Sequence, residues 1–498
     1  MQQFDVVILG AGFGGSLTAL LLNQIGRNVA LIDRGTHPRF SIGESSTPIA
    51  DYLLESLSEN YDLPQFQPFC KYGTWQERYP QLACGIKRGF SYFAHEPEQF
   101  FRQKSNHSSE LLVTANLDEA SADTHWFRAD VDHFFAEEVQ KSSVVYLDQT
   151  EVVLAQSDDW TIQAERRGER FDFRAQFLID ATGAMGVVPD FLGVERQTVF
   201  ESCSTAVYGH FENVTPWSEI LDQYEFDRSE YPFDCDQAAL HHVLSEGWMW
   251  QLRFNNDITS AGFVLDSAKN ALSAIELWQN LLSRYPSILS QFEGASIVSP
   301  EFGLCSTGRL QRGWKECAGP NWALLPHTAG FVDPLHSTGI AHTLCGIERL
   351  VMTLEQCWRN SDELSVALSH YSESIQAELK LIDALVACCY RSLKQFDLFT
   401  TSALFYFAAA TSFEHQRCNE QKRPLFLCAD DVDLSNIIGG WLNEVSQIQE
   451  KNVSNPDEIK QAILNAETKL KPWNRVGLFH PDVPNMYYYT AAPKPEPQ

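Results

Sequence analysis

The stretch Phe4-Asp5-Val6-Val7-Ile8-Leu9-Gly10-Ala11-Gly12-Phe13-Gly14-Gly15 leaves this chain few ways to begin. Its apolar run over 4–9 reads as a buried parallel strand, and the residues after it have the spacing GxGxxG. Residues 14–25 then carry helical periodicity and 28–33 (NVALID) reads as a second strand, which completes a βαβ unit. In that context the glycines have separate tasks. Gly10 lets the chain turn, Gly12 lets a pyrophosphate approach backbone, and Gly15 lets helix and strand pack closely. Phe13 and Gly14 complete the loop, and the helix N-terminus favours phosphate charge. Asp33, at the end of the second strand and followed by Arg34, is placed to accept hydrogen bonds from an adenosine ribose. A purely structural glycine turn is the plainer alternative, but it does not call for the acid.

Two more apolar strands run into turn chemistry. Phe177-Leu178-Ile179-Asp180 leads into Ala181-Thr182-Gly183, and Trp322-Ala323-Leu324-Leu325 leads into Pro326-His327 and a Gly/Pro-rich loop, with a helix expected from Ile340. In α/β sheets ligands bind at such strand ends. The nucleotide module is therefore expected to be discontinuous, with a first part over 1–185 and a last part over 301–350. Asp180, Gly183, His327 and Phe331 become candidate cofactor contacts, and the arrangement points to FAD. Residues 186–300, with alternation at 204–211 and 248–254, read as a β-rich substrate-binding region. Residues 351–498 read as helical. The expected class is α/β: a Rossmann-type FAD-binding fold of the flavin monooxygenase/halogenase type, with a β-rich substrate domain and a helical C-terminal region.

Charge and cysteine usage exclude other classes. A net charge of −28 repels phosphate backbones and anionic lipid, so neither nucleic acid nor a membrane is an expected partner. The cysteines have no CxxC or zinc spacing, which argues for no metal site and a reducing, cytoplasmic setting. The apolar start lacks a basic leader and is interrupted by glycines, and the run Ala403 to Ser412 is too short to span a bilayer. The stretch from Ala491 to Pro497 is too rich in proline to pack.

Three further motifs carry a resemblance. They are Gly43-Glu44-Ser45-Ser46-Thr47-Pro48, Phe331-Val332-Asp333-Pro334-Leu335-His336-Ser337-Thr338-Gly339-Ile340, and Trp248-Met249-Trp250. Together they resemble the flavin-dependent aromatic halogenases, in particular the pyrrole- and phenol-halogenating branch. Pro334 and Gly339 fix a turn whose successive N–H groups can hold an anion without a charged side chain. The resemblance implies that Thr338 and Gly339 hold chloride or bromide and that Phe331, Pro334 and Ile340 touch the flavin. It places Glu44, Ser45, Thr47 and Arg128 near the cofactor. It makes Lys87 the catalytic lysine, which receives hypohalous acid formed from reduced FAD (FADH2), O2 and halide. A compact primary amine can polarise that acid or form a haloamine, whereas arginine does neither as readily. The substrate would be an electron-rich aromatic small molecule (phenol, pyrrole or indole), free or bound to a carrier protein.

This chain departs from the family pattern in places. Trp248 and Trp250 would wall the flavin, yet two tryptophans at i, i+2 equally suit a core face. They continue to Leu252-Arg253 where the family has Ile-Pro. His336 stands where tryptophan halogenases carry glutamate; it would orient a phenol or pyrrole or accept its proton, or simply be a core histidine. Pro326-His327 replaces the Gly-Asp pair of flavin hydroxylases. A flavin monooxygenase and a non-catalytic flavin-binding protein remain the alternatives.

The chain has one GxGxxG unit and no second one for a nicotinamide. Electrons are therefore expected from a separate flavin reductase. The purified protein should not oxidise NADH or NADPH at a useful rate until such a reductase is added. Rapid nicotinamide oxidation by the lone chain, followed at 340 nm, would contradict this.

Overall fold

A computed structural model describes residues 1–157, 159–267, 269, 271–420 and 422–491. The proline-rich end beyond Ala491 lies outside them. The first strand forms over Gln2–Leu9, and its neighbours in one parallel layer are Val29–Ile32, Val145–Leu147, Glu169–Asp180 and Trp322–Leu324. Register brings the expected strand ends together: Leu9 pairs with both Ile32 and Asp180, and Asp180 with Leu324. Strands Thr150–Gln156 and Trp160–Arg166 extend this sheet as an antiparallel flap on the first half of Glu169–Asp180. The helix Phe13–Gln24 is buried from Phe13 through Leu22, so it is a core element and its apolar residues surround it.

The second sheet draws on more of the chain than residues 186–300. Its order is Ser296–Ser299, Thr205–Glu212, Ile258–Leu265, Gly247–Arg253, Ala239–Leu244, Gly89–Ala94, Glu110–Thr114 and Met486–Tyr487. The β-rich region is thus not confined to 186–300: two strands come from within 1–185 and one from the C-terminal region. Sheets are closed by long-range pairing, and Gly89–Ala94 lies parallel to Ala239–Leu244, which no local pattern announces. A short antiparallel ribbon pairs Cys84–Lys87 with Asp123–Trp126. Gly85 packs on the Arg253 carbonyl oxygen, 2.0 Å from where a Cβ would be.

The remaining layer is helical: Thr338–Cys357, Ser361–Tyr390, Phe396–Cys418, Val432–Glu450 and Pro456–Leu470. The apolar run Ala403 to Ser412 is wholly buried within the helix Phe396–Cys418. Among the described residues no helix is long and apolar enough to cross a membrane.

The tightest contact in the first layer is at the glycine loop. A Cβ on Gly15 would lie 1.9 Å from the Gly10 carbonyl oxygen. Gly15→Ala should therefore destabilise the fold by about 1–3 kcal/mol or more, read as a lower urea midpoint of the FAD-free protein. An unmoved midpoint would show that helix and strand can part without cost.

Candidate active site

The glycine loop ends at Gly12, the N-cap of the helix Phe13–Gln24. A Cβ there would have only the side chains of Asp132 at 3.7 Å and Arg128 at 3.8 Å for company, so space for a ligand lies against its backbone. Arg128 opens the helix Arg128–Gln140 and pairs bidentately with Asp132 at 2.8 Å through each nitrogen. It also donates to the carbonyls of Ile42 and Gly43 and covers the Phe13 ring. Arg128 thus makes a buried i,i+4 ion pair with Asp132 close to the glycine loop. Asp33 accepts from the Ala11 and Gly35 N–H groups and from both ends of the Arg39 guanidinium. Burial opposes its charge, but Arg39 and these donors outweigh burial and hold the carboxyl down to about 2. Arg34 beside it is exposed. Arg39 escaped the sequence reading, because nothing in a GxGxxG pattern specifies a cation on the second strand's acid.

Two expected cofactor contacts have other tasks. Asp180 bonds Thr182 through its N–H and hydroxyl and the Val188 N–H, so both carboxylate oxygens staple the turn after the strand. Glu44 is buried, with Oε1 on His210 Nε2 at 2.9 Å. These bonds fix the two acids in the segments that flank the glycine loop. His327 lies between Gly14 and Gly183, with Nε2 on the Ala181 carbonyl at 3.1 Å. Burial lowers its pKa to about 4, so the ring is neutral. Phe331 is half-buried under the Arg312 guanidinium.

The helix expected from Ile340 begins two residues earlier, at Thr338, because Ser337 takes a left-handed conformation (φ 52°, ψ 32°) and turns the chain sharply into it. Thr338 and Ile340 are buried, Pro334 is half-buried, and Gly339 is exposed with nothing within 4 Å of a Cβ. The helix thus starts beside a position, Gly339, that is open on its Cα side.

Lys87 is fully buried at the end of its ribbon. Its Nζ donates to Ser45 Oγ at 2.9 Å and to the Ser46 carbonyl at 2.5 Å, and stands 4.1 Å from the centre of the Phe90 ring. The Gly43–Pro48 segment reaches it because Ser45 bridges to His125 and the Ser46 N–H donates to the Thr124 carbonyl. Desolvation lowers the Lys87 pKa to about 7, against the pull of Asp123 and Asp51. A shallow cavity opens on the far side of the Phe90 ring, lined by Thr47, Phe90, Tyr406, Phe407, Glu414 and Thr490. Tyr406, from the C-terminal helices, and Thr490 were not foreseen, since only the tertiary fold carries them here.

His336 stacks on Tyr406 with centroids 4.4 Å apart, and burial lowers its pKa to about 3. An imidazole so placed is neutral near pH 7, and its stacking on Tyr406 fits the core-histidine reading as well as a wall residue. Trp248 and Trp250 share one face of Gly247–Arg253, buried, with centroids 6.1 Å apart. Their N–H groups are bound to the Tyr390 hydroxyl and to Ser260 Oγ. The Tyr390 hydroxyl in turn donates to Asp333, which also accepts from Ser204. Burial pushes Asp333 up to about 6. The tryptophan wall and the 331–340 loop are thus one hydrogen-bonded body.

A larger cavity of 220 Å³ lies behind the helix Thr338–Cys357, but its buried cations are already matched, Arg417 with Glu348 and Arg349 with Glu378. The residues around the glycine loop fit FAD better. Besides the open backbone at Gly12, three buried atoms on this side, His37 Nδ1, Thr47 Oγ1 and His327 Nδ1, have no hydrogen-bond partner among the described residues. They suit a large polar ligand.

Comparison with known proteins agrees with this geometry. Residues 81–400 match the tryptophan halogenase family. The chain is 30% identical to the monodechloroaminopyrrolnitrin halogenase PrnC of Pseudomonas fluorescens, over 80% of this chain and 69% of that one. It is 25% identical to the tetracycline 7-halogenase of Kitasatospora aureofaciens, over 80% and 72%. The crystal structure of the halogenase PltM with phloroglucinol and FAD superposes with a TM-score of 0.82 at 23% identity, covering 94% of this chain and 96% of that one.

Gly12→Val would put a branched side chain against the open backbone of the loop. FAD affinity should fall by about a hundredfold or more, equivalent to about 3 kcal/mol, while the far-UV circular dichroism stays that of the parent. Flavin content equal to the parent's in the folded variant would place the cofactor elsewhere.

Proposed function

The chain belongs to the tryptophan halogenase family of flavin-dependent halogenases, and on that premise we propose that it installs chloride or bromide on an electron-rich aromatic small molecule through Lys87. Membership sets aside the non-catalytic and hydroxylase readings. PrnC and the tetracycline halogenase are named for aromatic substrates, and a phenol occupies the PltM complex; phenols, pyrroles and indoles are therefore the class to test.

FAD would rest on the Gly10–Gly15 loop, with Asp33, Arg128 and His327 around it and the 331–340 loop beyond. When bound and reduced, with O2 and halide, it supplies hypohalous acid. A separate reductase would deliver the reduced cofactor. The amides of Thr338 and Gly339 would hold the halide, a fit that rests on the open helix N-terminus there. His336, neutral and stacked on Tyr406, would shape the wall. Lys87 carries the reading. It is buried, its Nζ is fixed by Ser45 and Ser46, and the Phe90 ring that Nζ faces lines an aromatic cavity. With a pKa of about 7 it offers either an ammonium that polarises the oxidant or an amine that binds it.

Lys87→Ala should fold, bind FAD and consume O2 with reductase present. Halogenated product per O2 should fall by about a hundredfold or more, scored by isotope pattern in a screen of phenols, pyrroles and indoles with chloride or bromide. Lys87→Arg should be nearly as poor. Parental yield from Lys87→Ala would end the role of this lysine.

A further inference from the structure

Lys87 has a partner that no motif specifies. In the ribbon between the sheets Lys87 pairs directly with Asp123, and side chains at opposed positions of an antiparallel pair stand on the same face, with Cβ atoms about 5 Å apart. Both residues are buried. We propose that Asp123 is a positioning residue for halogenation, supplying the counter-charge that keeps Lys87 an aimed ammonium. The proposal rests on the assignment of Lys87 above.

The surroundings leave few other sources of charge. From the same ribbon, His125 holds the Ala238 carbonyl and is neutral, burial lowering its pKa to about 3. His241, from Ala239–Leu244, is lowered to about 3 by burial as well. Tyr406, from Phe396–Cys418, is raised by burial and stays protonated; it also feels Asp123. Arg253, in the strand behind the ribbon, donates to the Val214 carbonyl. Glu44 faces His210, and the helix Tyr72–Arg78 meets the ribbon at its other end, where Gln76 contacts Cys84. Asp51 is the second carboxylate near Lys87, and it is engaged by the Ser46 hydroxyl. Ser45 Oγ and the Ser46 carbonyl orient Nζ but carry no charge. Asp123, opposite Lys87 in the ribbon, is therefore a stronger attraction than Asp51 against the desolvation of Lys87.

The sign follows directly. Burial has already brought Lys87 from its ordinary 10.5 down to about 7. Without the carboxylate the charged form is penalised further, so the midpoint moves to lower pH. A fall of about two units would leave about one lysine in a hundred protonated at pH 7.

The test uses the full chain labelled with 13Cε-lysine, with the Lys87 signal assigned by its loss in Lys87→Ala. Asp123→Asn should move the Lys87 midpoint down by about one to three pH units. Asp123→Glu should restore part of the shift. The alkaline limb of the halogenation profile should move with the midpoint, at unchanged FAD affinity. Should Asp123→Asn prove unstable, Asp123→Glu alone still reads the proposal, through a displaced midpoint in a folded enzyme. An unmoved midpoint in both variants would overturn the role of Asp123 while leaving Lys87 in place. A midpoint that moves while the pH profile does not would confirm the counter-charge and overturn the Lys87 assignment on which its catalytic meaning rests.

Discussion

The Gly10 carbonyl oxygen occupies the space that a side chain on Gly15 would need, and the Ala181 carbonyl oxygen occupies the space that a side chain on Gly10 would need, at 1.9 and 2.4 Å from the respective Cβ positions. These two backbone contacts seat the first helix against the ends of two parallel strands. Gly10 meets the demand with φ +100°, a region closed to most residues. Everything at the cofactor side follows from that closeness. The Ala11 N–H is delivered to Asp33, the Phe13 N–H to Asp132, and the backbone at Gly12 is left open where the neighbours on either side are closed. A cradle for phosphate is here mostly a matter of which side chains are missing.

The second sheet is tied to this layer by two segments that leave its strand ends. The Gly43–Pro48 segment joins the ribbon through Ser45 and Ser46 and the far sheet through Glu44 and His210. The 331–340 segment joins it through Asp333, which receives Ser204 from the far sheet and Tyr390 from the helices, while Tyr390 accepts Trp248. Each buried polar atom in such a network costs free energy unless it is matched, so the network specifies one arrangement of sheet, helix and loop. That is why a side chain as expensive to bury as Lys87 can be held in one place.

Sequence reading found the parts of this site that are encoded locally. Strand, glycine spacing and acid at 4–33 are a contiguous pattern, and the GESSTP and FVDPLHSTGI segments have their own turn chemistry, so both could be read and attached to a family. Lys87 could be singled out only through that resemblance; its alternation pattern alone would equally suit a surface strand. Its surroundings were invisible for a physical reason. Asp123, Asp51, Phe90 and Tyr406 come from separate strands and helices, and their nearness depends on pairings such as Gly89–Ala94 with Ala239–Leu244 that no periodicity encodes. The same applies to Glu44 and Asp180. Each is an acid beside a glycine-rich turn, a pattern shared by ligand acceptors and turn staples; only the bonds to His210, Thr182 and Val188 distinguish them.

Charge at the site is governed by burial more than by composition. The chain as a whole carries −28, which would disfavour a halide anywhere near an average stretch of its surface. Around the proposed pocket the acidic groups are Asp123 and Asp51 near Lys87 and Glu414 in the cavity lining. His125, His241, His327 and His336 are all lowered by burial far enough to be neutral. Neutral imidazoles add polarity and shape without competing cations, so an anion or a polarisable oxidant meets one ammonium, two nearby carboxylates and the backbone amides of a helix start. A single lysine poised near neutrality in such surroundings responds strongly to either carboxylate, because few other charges screen it. Burial keeps those imidazoles neutral, and the aromatic side chains that line the cavity, Phe90, Tyr406 and Phe407, are of a kind that would pack on an aromatic ring.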